Sequence, residues 1–366
     1  MSTTTAHNFA AIALLTTLAA AHAGAASVEV IAAGLDNPRG LGFAPNGELY
    51  VAEAGSGGSG NCRPSPDGMP VDVCYGETGA LTRIDPQGLQ APVRVLRNLP
   101  SMAGPGGFAA SSGPVDVDFF GMTAFVVMGW GGDPSLRAGV GPKGALFGTL
   151  LRALPNGPYT AVSDVAGNEV RHNPAGGRID SNPYGGVALP GRRVVADAGA
   201  NALVAFSAPD SLDSVADHTF AVLPPTAFGT EPVPTTVVAG SDGYLYVGQL
   251  TGAPFFRGSS TIYRISPQGG TAVPYVTGLT AVVDIAIDQA GTLYVLEIAS
   301  GFVPGPGADP GVGDGRLLRI RQGGAPEMVL AGLVFPAGVA IGPDNALYLT
   351  NFGIFPGGGQ VLRITE

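Results

Sequence analysis

Five polar residues recur at one position in this chain, each closing a short apolar run. They are Glu53 after Leu49-Tyr50-Val51-Ala52, Asp197 after Val194-Val195-Ala196, Gln249 after Leu245-Tyr246-Val247-Gly248, Glu297 after Leu293-Tyr294-Val295-Leu296, and Asn351 after Leu347-Tyr348-Leu349-Thr350. A sixth run, Phe125-Val126-Val127-Met128, ends on an apolar residue and breaks the set. If the runs are equivalent, three carboxylates and two amide oxygens share one region. That is the hard-oxygen set Ca²⁺ accepts, with about 6–8 oxygens at about 2.3–2.6 Å. Calcium is then the cofactor to consider, as a Lewis acid on a carbonyl. The same residues read equally well as clips that hydrogen-bond the backbone of a neighbouring loop. Arg39, Asp116 and Asp284 lie near the starts of adjacent strands and are candidate ligand-binding groups, together with Trp130 in a loop.

Other catalytic signatures are missing. His172 and His218 are the only histidines after the N-terminal segment, and His218 opens an outer strand. No Gly-x-Ser-x-Gly elbow and no Gly-x-x-x-x-Gly-Lys-Ser/Thr loop occurs. Gly55-Ser56-Gly57-Gly58-Ser59-Gly60 follows a strand without opening a helix, so it reads as a loop and not as a phosphate cradle. The aromatics Trp130, Phe255, Phe256, Phe302, Phe352 and Phe355 fall in the long loops, either as an apolar lid or as loop packing.

The elements that position these residues are short strands between Gly, Pro, Asn and Asp turns. In the first unit, Gly40 to Phe43 turns through Pro45-Asn46-Gly47 into the run ending at Glu53, and Gly79 to Ile84 and Pro92 to Leu96 follow. The fourth and fifth units repeat this order, and no helical period competes over a long window. The last unit stops after its third strand, Gln360 to Ile364, while Val28-Glu29-Val30-Ile31 at the other end has the character of a fourth strand. The pattern predicts a six-bladed β-propeller, all-β, closed by the N-terminal strand, with seven blades as the alternative. It places the long loops, among them Ala54 to Thr78, Gly129 to Pro142 and Phe352 to Gly359, on one face. Binding belongs on that face.

Composition narrows the partners. The chain has 366 residues, 58 Gly, 32 Pro, 45% apolar residues, a formal net charge of −10 and a single lysine, Lys143. Nucleic acid and anionic membranes, which need clustered Lys and Arg, are excluded as partners. The apolar run Phe9 to Ala21, followed by Ala21-His22-Ala23 and Gly24-Ala25-Ala26, reads as a secretory signal over residues 1–26, leaving one domain over 27–366. Export to the periplasm or outside the cell follows, with no later membrane span and a monomer expected. Cys62 and Cys74, close together in one loop, are expected to form a disulfide.

Several segments resemble the ScyD/ScyE family. They are Ala33-Gly34-Leu35-Asp36-Asn37-Pro38-Arg39-Gly40-Leu41, Tyr50-Val51-Ala52-Glu53-Ala54-Gly55, Ile179-Asp180-Ser181-Asn182-Pro183-Tyr184-Gly185, Ala196-Asp197-Ala198-Gly199-Ala200-Asn201 and the closing Gly332 to Gly338 with Leu347 to Gly353. The resemblance spans the mature chain and implies an exported propeller with NHL-like repeats, but no particular reaction and no catalytic residues. Two functions remain. One is binding a small molecule or an extracytoplasmic protein at the long-loop face. The other is a calcium-assisted, lactonase-like hydrolase at the mouth of the central channel.

Overall fold

The computed structural model describes residues 26–66, 70–109, 112–207, 217–300 and 314–366. The second strand of each unit is buried along all or nearly all of its length, completely so in Leu49–Glu53, Leu245–Gln249 and Leu347–Asn351. Such a strand packs neighbours on both faces, and so its sequence is an unbroken apolar run and not an alternation. The fourth strands lie outermost and are mostly wet, as in Glu327–Leu333.

Six antiparallel sheets form, five with their main strands in sequence order from the centre outward and the sixth closed by the first strand of the chain. Blade 1 is Pro38–Phe43, Leu49–Glu53, Asp72–Ile84 and Val93–Ala103; blade 2 is Pro114–Phe120, Thr123–Met128, Thr149–Ala153 and Tyr159–Asp164. Blade 3 is Pro183–Leu189, Arg192–Asp197, Ala202–Ser207 and Asp217–Val222; blade 4 is Pro234–Ala239, Leu245–Gln249, Ser260–Ile265 and Val273–Leu279. Blade 5 is Val282–Ile287, Leu293–Glu297, Gly315–Ile320 and Glu327–Leu333. Blade 6 takes Val339–Ile341, Leu347–Asn351 and Gly359–Thr365 from the end of the chain and Ser27–Leu35 from its beginning. The first strands touch one another in succession around the ring and back to the start. The fold is a six-bladed β-propeller.

Closure follows the sequence expectation. Ser27 stands opposite Thr365 and Leu35 opposite Gly359 in an antiparallel pair. Ile31, Ala32 and Leu35 enter the core with Tyr348 and Val361. Burying a large aliphatic side chain contributes roughly 1.5–3 kcal/mol, so this strand fastens the ring as well as completing a sheet.

Two features differ from the sequence reading. The loop from Ala54 to Thr78 is partly regular: Cys62–Pro64 is a short strand paired with the third strand of blade 1, which begins early, at Asp72. Cys62 and Cys74 are directly opposed in that pair and form the disulfide. The second feature is a helix, Val165–His172, between blades 2 and 3. Asp164 accepts from Gly167 N at its start and Asn173 ends it at φ 38°. Eight residues are about two turns, too short to impose a period on a sequence window. Among the described residues no helix is long and apolar enough to cross a membrane. The expected signal segment lies outside the described residues up to Ala25.

Candidate functional site

Four of the five polar run-ends hold the turn that feeds their own blade. Asp36 N donates to Glu53 at 2.7 Å, Asn182 N to Asp197 at 2.6 Å, Thr280 N to Glu297 at 2.7 Å and Val334 N to Asn351 at 2.8 Å. The next residue along adds a backbone bond to the same turn, as from Ala54 N to Asn37 O and from Ile298 N to Ala281 O. The two exceptions explain themselves. In blade 4 the donor position is Pro232, which has no N–H. Gln249 instead donates to Ser259 O at 3.3 Å, and its Oε1 is buried without a partner. In blade 2 the N–H of Ser112 goes to Met102 O, so Met128 has nothing to accept. An oxygen acceptor occurs where a backbone donor needs one.

Arginines complete two of these clips. Arg94 donates to Glu53 through Nε at 3.0 Å and through Nη2 at 2.7 Å, and Thr82 Oγ1 also donates to Glu53. Arg316 Nε donates to Glu297, whose carboxyl is nevertheless held above its ordinary range by burial. Asp197 is bonded by Ser181 Oγ, Asn182 N and Ala200 N, and burial pushes it up to about 6. Among the described residues no group of three or more His, Cys, Asp or Glu is arranged to hold a metal ion.

The first strands bring a different pair together. Pro38, Pro114, Pro183, Pro234 and Val282 each stand opposite the run-end residue of their blade, and an irregularity in the pairing follows. That irregularity turns Asp116 and Asp284, in blades 2 and 5, toward the central channel. Asp116 accepts from Gly186 N at 2.8 Å. Asp284 accepts from Thr236 Oγ1 at 2.6 Å, from Ile285 N at 2.8 Å and from Val339 N at 2.8 Å. Burial, then repulsion from Asp284, holds Asp116 well above the usual carboxylate range. Burial pushes Asp284 up to about 6. Gly40 is required beside them, because a Cβ there would collide with the Asp116 carboxylate.

The channel cavity is about 370 Å³ and is walled below the acids by apolar residues such as Val117, Val187, Val237 and Ile285. Accessibility rises along the first strands toward the tight turns, from buried Val237 to exposed Ala239. The wide end therefore lies on the short-turn face. The other end is narrowed by Tyr184 of blade 3, which packs against the apolar cluster of blades 5 and 6, and by buried Arg39. Arg39 Nη1 donates to Gly353 O at 2.8 Å. Tyr184, raised by burial, also feels Arg39, Asp284 and Asp116. Of the sequence candidates, then, Arg39, Asp116 and Asp284 converge. Tyr184 and Thr236 join them without having been singled out, because their alignment to this level depends on a strand irregularity that residue types do not announce.

On the long-loop face, Trp130 is fully buried, donates to Asp133 O at 3.1 Å and lies 3.7 Å beneath the Arg63 guanidinium. It packs loops. Phe355 meets Phe108, Phe335 and Phe352 at centroid distances of 5.5, 6.3 and 5.9 Å. Phe108 is 42% exposed, and Phe335 and Phe352 hold φ of 43° and 57°, where bulky residues are rare. Phe256 pairs instead with Phe228, and Phe302 lies outside the described residues. His172 ends the short helix and His218 lies on an outermost strand, both away from the channel.

No family model and no curated protein matches the chain. Among solved structures, a glucose dehydrogenase is 12% identical over 93% of this chain and 99% of its own, with a TM-score of 0.54. A streptogramin B lyase is 13% identical over 93% and 98%, with a TM-score of 0.50. A structural-genomics protein of unknown function from Bacteroides thetaiotaomicron is 10% identical over 93% and 76%, with a TM-score of 0.52. The likeness is one of fold. It reaches the β-propeller and carries no activity with it.

Proposed function

We propose that this chain is an exported propeller of the ScyD/ScyE type that binds a small molecule or an extracytoplasmic protein on its long-loop face, without chemistry. The observation that carries this reading is the phenylalanine cluster of Phe108, Phe335, Phe352 and Phe355, presented at the seam of blades 6 and 1. Two of its members sit in left-handed backbone, a conformation that costs on the order of 1–3 kcal/mol and persists where surrounding structure enforces it. The clip from Asn351 to Val334 N, next to Phe335 and Phe352, supplies that enforcement. The run-end acids are already engaged by their own turns, which supports binding over a calcium-assisted lactonase at the channel mouth. The disulfide is compatible with export.

The test uses the dye anilinonaphthalene sulfonate as an apolar probe. Its fluorescence rises with the native protein and falls back in a Phe108→Ser, Phe355→Ser double variant whose melting temperature is retained. A rise of equal size in the variant overturns the assignment of the face. Mass measurement of the secreted chain checks export, with Ser27 as the expected first residue.

A further inference from the structure

Glu169, on the buried side of the helix Val165–His172, is 2% exposed, and its Oε2 is buried without a hydrogen-bond partner. Its carboxyl receives the Asp180 N–H from the turn that leads into blade 3. Two further carboxylates, Asp197 and Asp180, act on it by repulsion. The cations around the helix are committed elsewhere: Arg171 to Asp217, Arg137 to Asp164 and Arg178 to Asp180. Leaving a buried acceptor unmet is costly, and more so when it is charged. Among the described residues no group of three or more acids is arranged to hold a metal ion, and so the positive charge this spot lacks falls to a proton.

We propose that the Glu169 carboxyl is a proton-operated latch on the long loops above blades 2 and 3. Protonated, it stays enclosed and holds the helix against residues 179–182; ionised, it turns out to water and frees both. Asp180 carries the change onward. Its Oδ1 accepts from Gly132 N at 2.9 Å, while Gly131 N donates to Ser181 O at 3.0 Å and Ser181 N to Gly132 O at 3.1 Å. Trp130, the single tryptophan of the chain, directly precedes Gly131. Loosening the turn therefore reaches the loop that packs Trp130 beneath Arg63.

Acid favours the docked form. Burial pushes Glu169 up to about 7, with Asp197 and Asp180 adding repulsion and the Asp180 N–H opposing it. The charged and titratable groups around it are Asp164, Arg171 and His172 on its own helix and Asp197 and Asp217 from strands of blade 3. Arg178 and Asp180 come from the entering turn, and Arg137 from the blade 2 loop. The third strand of blade 2 meets the helix where Ala166 N donates to Gly148 O, and brings no charge there. With its folded value raised above an ordinary 4.5, the carboxyl holds the docked form fully below about 4.5 and releases it as pH rises through about 7. Between those values the ratio of open to docked grows by up to about tenfold per pH unit.

Hydrogen exchange followed by mass spectrometry tests the latch between about pH 5.5 and 7.5, with rates corrected for the base dependence of exchange itself. Protection of residues 165–182, taken relative to the Leu293–Glu297 strand of blade 5, falls about twentyfold across that range in the native protein. In Glu169→Gln, which keeps the shape and loses the charge, the fall shrinks to the few-fold that Asp197 supplies. Equal falls in the two proteins overturn the proposal, as does flat protection in the native one. If Glu169→Gln melts early, carboxyl carbon-13 NMR of the native protein decides. Glu169 titrating at about 7 supports the latch, and titration at an ordinary 4.5 overturns it.

Discussion

The acids that end the second strands and the acids that line the channel occur a short distance apart in the same repeating unit, yet they live under opposite conditions. Glu53 and Glu297 are satisfied on every side, by a turn N–H and an arginine. Asp116 and Asp284 are satisfied on the side of the blades and bare of cations toward the channel. A carboxylate whose partners all belong to its own fold is a fastener. One that is buried without a cation carries its charge at a cost. The two classes sit on different strands of the repeat, and they differ further in the direction from which their donors arrive.

The largest effect expected from breaking this contrast is on the fasteners. Glu53→Ala removes the acceptor of Asp36 N and leaves Arg94 without its inner partner. A loss of about 3 kcal/mol follows, at the low end for a broken buried pair because Arg94 can turn to water. Denaturant unfolding measures it, and a loss below about 1 kcal/mol would demote Glu53 from fastener to bystander.

Next comes the pH dependence set by the raised acids. Asp284 and Asp197 sit at about 6 in the folded protein against an ordinary 3.8. The folded state thus holds protons that the unfolded state has released. Their stabilising contribution is complete below about 3.8 and is lost as pH rises through about 6. The melting temperature should climb on acidification across that window, by on the order of 2–3 kcal/mol of stability for Asp284 alone. Asp284→Asn should flatten the slope. A melting temperature that rises toward alkaline pH contradicts the account.

Asn351→Ala is a smaller perturbation. It orphans Val334 N at a cost of about 1–2 kcal/mol and, through Phe335 and Phe352, should also lower dye binding on the long-loop face. Smallest of all is Gln249→Met. It copies Met128 and removes a buried oxygen that has no donor, so stability should change by less than about 1 kcal/mol. Gln249→Glu should be clearly worse, because Pro232 offers no N–H to a carboxylate. If the two substitutions cost the same, the acceptor-for-donor rule fails.

Much of this was legible in the residues. Runs such as Leu49 to Glu53 name the fold because a doubly buried strand leaves an apolar signature, and Val28 to Ile31 gives away the closure by resembling Glu327 to Leu330. The polar run-ends were visible too, as was the choice between metal ligand and backbone clip. Residue type alone did not decide between them, because the deciding partners, Asp36 N and Thr280 N, are main-chain groups of unrelated side chains. The strand at Cys62–Pro64 was hidden inside a Gly-rich stretch, and its pairing depends on a disulfide between directly opposed residues. Tyr184 stood in plain sight within Asn182-Pro183-Tyr184-Gly185, but its reach across the channel depends on the ring having closed.

The division between fasteners and channel acids is tested most directly by denaturant unfolding of Glu53→Gln and Asp284→Asn at neutral pH. The account predicts that Glu53→Gln loses stability, because Arg94 loses its charged partner, while Asp284→Asn keeps or gains it, because a buried charge without a cation is removed. A destabilised Asp284→Asn beside an unaffected Glu53→Gln would contradict it.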